Sequence, residues 1–140
     1  MADLFVLLFV AHLLADYPLQ TDRLAGRKAG WTEGPEDPNP GLHHHGWGAN
    51  LIHAGTHVLV CGIALLAGVV VLGADISPAG GMLALAWIGV THSLIDRRWP
   101  VVWWLEHTGQ KEFLRHGGAA HVDQAAHLLV LVIAAVALAA

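Results

Sequence analysis

Residues 51–74 read LIHAGTHVLVCGIALLAGVVVLGA and contain no Asp, Glu, Lys or Arg. A helix needs roughly 17–25 mostly apolar residues to cross a bilayer, so this stretch is long enough to do so. Its two imidazoles, His53 and His57, lie near its start. Residues 76–95 and 124–140 lack all four charged residue types in the same way. A fourth apolar segment, from Leu4 to about Tyr17, is shorter and carries one acid, Asp16, near its end. The pattern predicts an all-α, integral membrane four-helix bundle. It forms a single transmembrane domain over residues 1–140, with spans at about 4–19, 50–73, 79–96 and 121–140.

Composition points the same way. Of 140 residues, 55% are hydrophobic and 13% charged, and the mean hydropathy is +0.53; soluble domains are roughly a quarter charged. The formal net charge of −4 and the scattered Lys and Arg residues exclude a nucleic-acid-binding surface. The single cysteine, Cys61, falls mid-span and reads as a small packing residue. The first segment has no basic residues before it and no small-x-small site after it, so it is expected to stay in the mature chain rather than act as a secretory signal.

Breakers fall between the spans. Pro18 ends or kinks the first, and the Gly/Pro-rich residues 34–48 make a loop before the second. Residues 73–78 form a tight link in which Ser77 is placed to cap a helix that begins at Pro78. A more polar connection over 97–120 closes on Gly117-Gly118. All seven basic residues lie in the two longer loops, at about 20–49 and 97–120: Arg23, Arg27 and Lys28 in one, and Arg97, Arg98, Lys111 and Arg115 in the other. Because cytoplasmic loops retain Lys and Arg, both loops are expected in the cytoplasm and both termini on the extracytoplasmic side of the inner membrane. Trp31, Trp47, Trp99, Trp103 and Trp104 fall in or beside these loops, at headgroup level, with residues 100–107 lying flat; Trp87 is expected to pack within a span.

Each span carries one pair of potential metal ligands four residues apart: His12 and Asp16, His53 and His57, His92 and Asp96, Asp123 and His127. That spacing puts both members on one helix face, one turn apart. In an up-down bundle the four pairs share a depth near the cytoplasmic side. An ionisable group in lipid costs about 2.5–3.5 kcal/mol on insertion scales, so such groups turn inward and pair or bind something. Five imidazoles and three carboxylates suit one or two divalent cations, with zinc as first choice and a di-iron pair as second. The remaining members serve as orienting partners or as a base. The competing reading is a purely structural polar network.

Outside this layer the signals thin out. The His43-His44-His45 run is expected to be solvated, and His107, His116 and His121 to be interfacial. Arg97 and Arg98 are topology determinants that could also hold an anionic substrate headgroup at the site mouth. Gln20, Thr21 and Asp22 read either as a helix-terminal polar cluster or as partners behind the ligands.

The run Ala11-His12-Leu13-Leu14-Ala15-Asp16-Tyr17-Pro18-Leu19-Gln20-Thr21-Asp22 resembles the HLLADF-x-LQTD hallmark of a family of small integral membrane proteins of bacteria and their phages, whose function is unknown. The segments around His53/His57, His92/Asp96 and Asp123/His127 extend the resemblance over nearly the whole chain. Tyr17 stands where the hallmark has Phe, Pro18 intrudes beside it, and the 34–48 loop is longer than typical. The resemblance implies the fold and the importance of the His/Asp positions, and no reaction.

The leading functional expectation is a metal-dependent hydrolase acting on a lipid or other amphiphile at the cytoplasmic face. His12, His53, His57 and His127 are its core ligands, with His92 in the same layer, and Asp16, Asp96 and Asp123 divide ligation and general-base duty. Di-iron oxidation or hydroxylation is the second enzyme class. The other readings are a metal-ion or proton conductor, and a non-catalytic membrane interaction protein with a structural metal. The bilayer is the expected partner in every case, with a homo-oligomer or another membrane protein as further options.

Overall fold

The computed structural model describes residues 1–30 and 44–140, and among these every regular element is a helix. The chain runs through α1 (Ala2–Asp16), α2 (Asp22–Arg27), a 3₁₀ turn (His44–Gly46), α3 (Trp47–Leu72), α4 (Pro78–Asp96), α5 (Trp99–His107), α6 (Lys111–Arg115) and α7 (Gly118–Ala139). Three of these are long and apolar enough to cross a membrane: α3, α4 and α7.

The fourth expected span, α1, is shorter than these three. Its 15 residues reach only roughly 22 Å at 1.5 Å per residue. The helix stops at Asp16 rather than continuing to residue 19, because Pro18 has no backbone N–H to give Leu14 O, which accepts from Leu19 N at 3.2 Å instead. α7, by contrast, starts about three residues earlier than expected, at Gly118. Gly117, at φ +86°, supplies the left-handed turn into it, and a Cβ on Gly118 would collide with the Phe113 ring.

The link at 73–78 forms as the sequence predicts. Ser77 Oγ accepts a hydrogen bond from Gly80 N at 3.0 Å, and Pro78 occupies the first turn of α4.

α1, α3, α4 and α7 close a ring in which α1 packs on α3, α3 on α4, α4 on α7 and α7 on α1. Neighbours are antiparallel: Asp16 at the end of α1 meets His53 at the start of α3, while Leu4 and Leu7 approach Gly68 near the other end of α3. The half of the ring towards Leu4 is an apolar core of Leu4, Leu8, Cys61, Leu65, Ile88, Leu131, Ala134 and Ala135. Around it Leu59, Ile63, Val70, Leu83, Val90 and Leu129 point outward and exposed, as side chains facing lipid would. Trp87 joins two helices, its Nε1 donating to Val130 O at 3.1 Å. Trp99, Trp103 and Trp104 are exposed on α5, while Val101 and Leu105 bury its other face. Trp31 and His43 lie outside the described residues.

Candidate metal centre

At the other half of the ring the inward positions change chemistry. His12, Asp16, His53, His57, His92, Asp96 and His127 are all buried, at 7% exposure or less. The i,i+4 spacing does what helical geometry requires: each pair sits one turn apart on the inner face, and the antiparallel order brings the four pairs to one level.

Two overlapping groups of inward atoms result. Asp16, His53, His57 and His92 form one, and His92, Asp96 and His127 form the other, with His92 common to both. In the first, Asp16 Oδ1 lies 3.1 Å from His53 Nε2 and 3.2 Å from His57 Nε2, which are 3.3 Å from each other. Zn–N and Zn–O bonds of about 2.0–2.1 Å at tetrahedral angles put neighbouring ligand atoms about 3.3 Å apart. The triangle therefore has the edge lengths of a tetrahedral site, and the donors are of the kind zinc takes. In the second group Asp96 lies 3.2 Å from His92 Nε2 through Oδ2 and 3.9 Å from His127 Nε2 through Oδ1.

Polar atoms in this layer are left without hydrogen bonds. Nε2 of His12, His92 and His127 and Oδ2 of Asp96 are buried and make ionic contacts rather than formed hydrogen bonds: His12 with Asp16, His92 and His127 with Asp96, and Asp96 with Lys28. Imidazole nitrogens and carboxylate oxygens gathered at one buried level are the donors a divalent cation takes. His127 shows how the tautomer is set. Its Nδ1–H donates to Asp123 O at 3.0 Å, with Asp123 Oδ1 3.2 Å away, which leaves Nε2 to face inward as a lone pair.

Six of the eight ligand candidates thus fall in the two groups. His12 stands beside them, its Nε2 3.1 Å from Asp16 Oδ2 and its ring centroid 5.0 Å from that of His57. Asp123 sits behind His127 and orients it. Of the weaker candidates, Thr21 caps α2 through Leu24 N, and Gln20 Nε2 donates to Asp16 O. His107, His116 and His121 are exposed, away from the layer.

The residue that sequence reasoning missed is Lys28. It enters the layer from just after α2, with Nζ 3.0 Å from His53 Nε2, 3.1 Å from Asp96 Oδ2 and 3.8 Å from Asp16 Oδ1. Its carbonyl is held by Asn50 Nδ2 at 3.3 Å and Arg97 Nη1 at 3.4 Å. Asn50, fully buried, also donates to Ser93 O at 3.0 Å and accepts from the Ser93 hydroxyl. No periodicity marks Lys28, because a fold-back of the connection, and not a helix face, carries it inward. Arg97 and Arg98 part company. Arg97 also donates to His45 O at 3.0 Å and lies over the Trp47 ring. Arg98 takes a left-handed backbone at φ +59°, a conformation that costs an L residue roughly 1–2 kcal/mol, and lines a cavity.

That cavity, about 290 Å³, is bounded by Asp16, Gln20, Lys28, Asp96, Arg98 and Asp123 among others. Asp16 and Asp96 of the His/Asp layer form part of its wall.

A family model described as "Protein of unknown function (DUF3307)" matches residues 4–140. The chain belongs to this family. No curated protein and no solved structure matches it. Family membership agrees with the resemblance seen in the opening motif and, like it, assigns no reaction. The His/Asp layer is therefore read on its own chemistry.

Proposed function

We propose that this DUF3307 protein is a metal-dependent membrane hydrolase that takes a lipid or other amphiphile from the cytoplasmic headgroup layer. The observation that carries the reading is the buried triangle of Asp16 Oδ1, His53 Nε2 and His57 Nε2, with edges of 3.1–3.3 Å, beside a polar cavity. In this reading α1 and the turn after it complete a fourth crossing, the two basic loops face the cytoplasm and both termini lie outside, in the inner membrane.

Asp16, His53, His57 and His92 would hold the first cation, and Asp96 and His127 a second, with zinc preferred and di-iron the alternative. A cation bound there supplies a Lewis acid that polarises an ester, amide or phosphoryl oxygen and acidifies water. The remaining tasks belong to the chain. Asp123, half-buried on the cavity wall and outside both ligand groups, is placed to accept a proton from water while it orients His127. Asp96 holds Lys28. The apolar ring of Leu8, Ile88 and Leu131 closes the layer on the far side and keeps water to the loop end. The same closed ring argues against conduction through a single chain, since an ion path needs polar groups to continue it.

Metal content of detergent-purified protein, compared with His53→Ala and His127→Ala, tests this. Near-stoichiometric zinc or iron lost in both variants, followed by metal-dependent hydrolysis of an amphiphilic ester, is the expected result. Failure of wild type to take up either metal after loading would overturn it. Metal bound stoichiometrically with no hydrolysis would point to a structural staple instead.

A further inference from the structure

The cavity above the His/Asp layer carries its own selectivity. Three carboxylates, Asp16, Asp96 and Asp123, and two cations, Lys28 and Arg98, border it, so the walls have one net negative charge. A single divalent ion in the layer turns that into one net positive charge, and a second ion adds two more. A buried excess of positive charge calls for an anion. The cations are also placed to meet one. Lys28 is held by its carbonyl with its ammonium on the cavity floor, and its side chain is 16% exposed. Among the described residues nothing pairs with the Arg98 guanidinium, although its neighbour Arg97 is engaged three times over. Gln20 Oε1, buried without a partner, lines the same space and can accept from a hydroxyl. At about 290 Å³ the cavity sits at the lower limit of ligand pockets, roughly 300–1,000 Å³. It has room for a headgroup and leaves an acyl tail outside, in the bilayer.

We infer that Lys28 and Arg98 form an oxyanion clamp for the phosphate group of a phosphorylated amphiphile, presented to the metal layer from the loop end. This deepens the hydrolase reading and rests on it. Phosphate is favoured over carboxylate because its oxygens can reach an ammonium, a guanidinium and a metal layer at once, and a planar two-oxygen carboxylate cannot satisfy all three.

Native mass spectrometry of zinc-loaded, detergent-solubilised full chain counts zinc and lipid together. Phosphatidic acid should bind at least about tenfold tighter than phosphatidylcholine. Arg98→Gln and Lys28→Met should each remove about tenfold of that preference, the loss of roughly one charge-assisted contact, and Arg98→Gln, at a residue outside the ligand groups, should do so with the zinc count unchanged. Lys111→Gln, a basic change away from the cavity, should leave it intact. Inorganic phosphate that displaces the lipid identifies phosphate as the recognised group. Arg98-dependent phosphate binding with no lipid preference would uphold the clamp and make its ligand a soluble phosphate. Zinc uptake with binding indifferent to both Arg98 and Lys28 overturns the clamp and spares the metal reading. Arg98-dependent phosphate binding without zinc uptake does the reverse.

Discussion

At the level of Leu8, Ile88 and Leu131 the helices meet through fully buried side chains with no polar atom to satisfy. At the level of His12, His92 and His127 equally buried side chains present ring nitrogens that meet carboxylates instead of apolar surface. Both levels belong to α1, α3, α4 and α7. The apolar level needs only shape, since packing contacts hold helices together in lipid as well as in water. The polar level is a standing cost that the apolar level must carry, and a cation is the simplest group that offsets it. The contrast separates the half that holds this bundle together by shape from the half whose buried donors could hold a cation.

The largest expected effect breaks the contrast from the polar side. With zinc at about 1,000 times its Kd, linkage adds about 4 kcal/mol of stability. Thermal unfolding in detergent should therefore rise sharply on zinc loading and return with a chelator. His92→Ala, which removes the residue common to both groups, should abolish the zinc-dependent shift. A shift that survives in this variant would place the metal elsewhere. The next effect tests the apolar side. Leu131→Ala, at a site 1% exposed, should cost about 2–5 kcal/mol as a cavity forms, while zinc stoichiometry stays at the wild-type value. Loss of zinc together with stability would mean that the two levels are one cooperative unit.

The sequence made the two levels unequally legible. Charge-free stretches and i,i+4 pairs are local signals, and α3, α4, α7 and the shared depth of the His/Asp pairs follow from them. The helix of the first span ends at Asp16, short of the expected boundary near residue 19, because Pro18 has no N–H to give Leu14 O. Lys28 was read as a topology determinant because its inward path depends on Asn50 and Arg97, residues 22 and 69 positions away. The adjacent Arg97 and Arg98 are indistinguishable as letters. Only the left-handed backbone at Arg98 sends one to staple the loop and the other to the cavity.

A finer cut lies within the polar level, between residues that would hold a cation and residues that would aim them. Asp123→Asn weakens the charge behind His127 Nδ1 and leaves all six grouped ligands in place. Metal affinity should fall about 10–100-fold, the usual consequence of losing an orienting partner. Zinc titration against a chelator measures it. An unchanged affinity would show that the Asp123 carbonyl alone fixes the imidazole, and would leave the side chain free for proton transfer only.

The smallest effect concerns the one described side-chain bond that ties α4 to α7 through the apolar half. Trp87→Phe keeps most of the ring and deletes the donor to Val130 O. Polar contacts between helices in membranes average about 0.6 kcal/mol, because the separated helices also find partners, so unfolding should move only slightly. The useful reading is the metal. If the apolar half contributes shape alone, zinc affinity in Trp87→Phe stays at the wild-type value. A measurable loss would mean that the register of α4 against α7, fixed at Trp87, is what brings His92 and His127 to the same level.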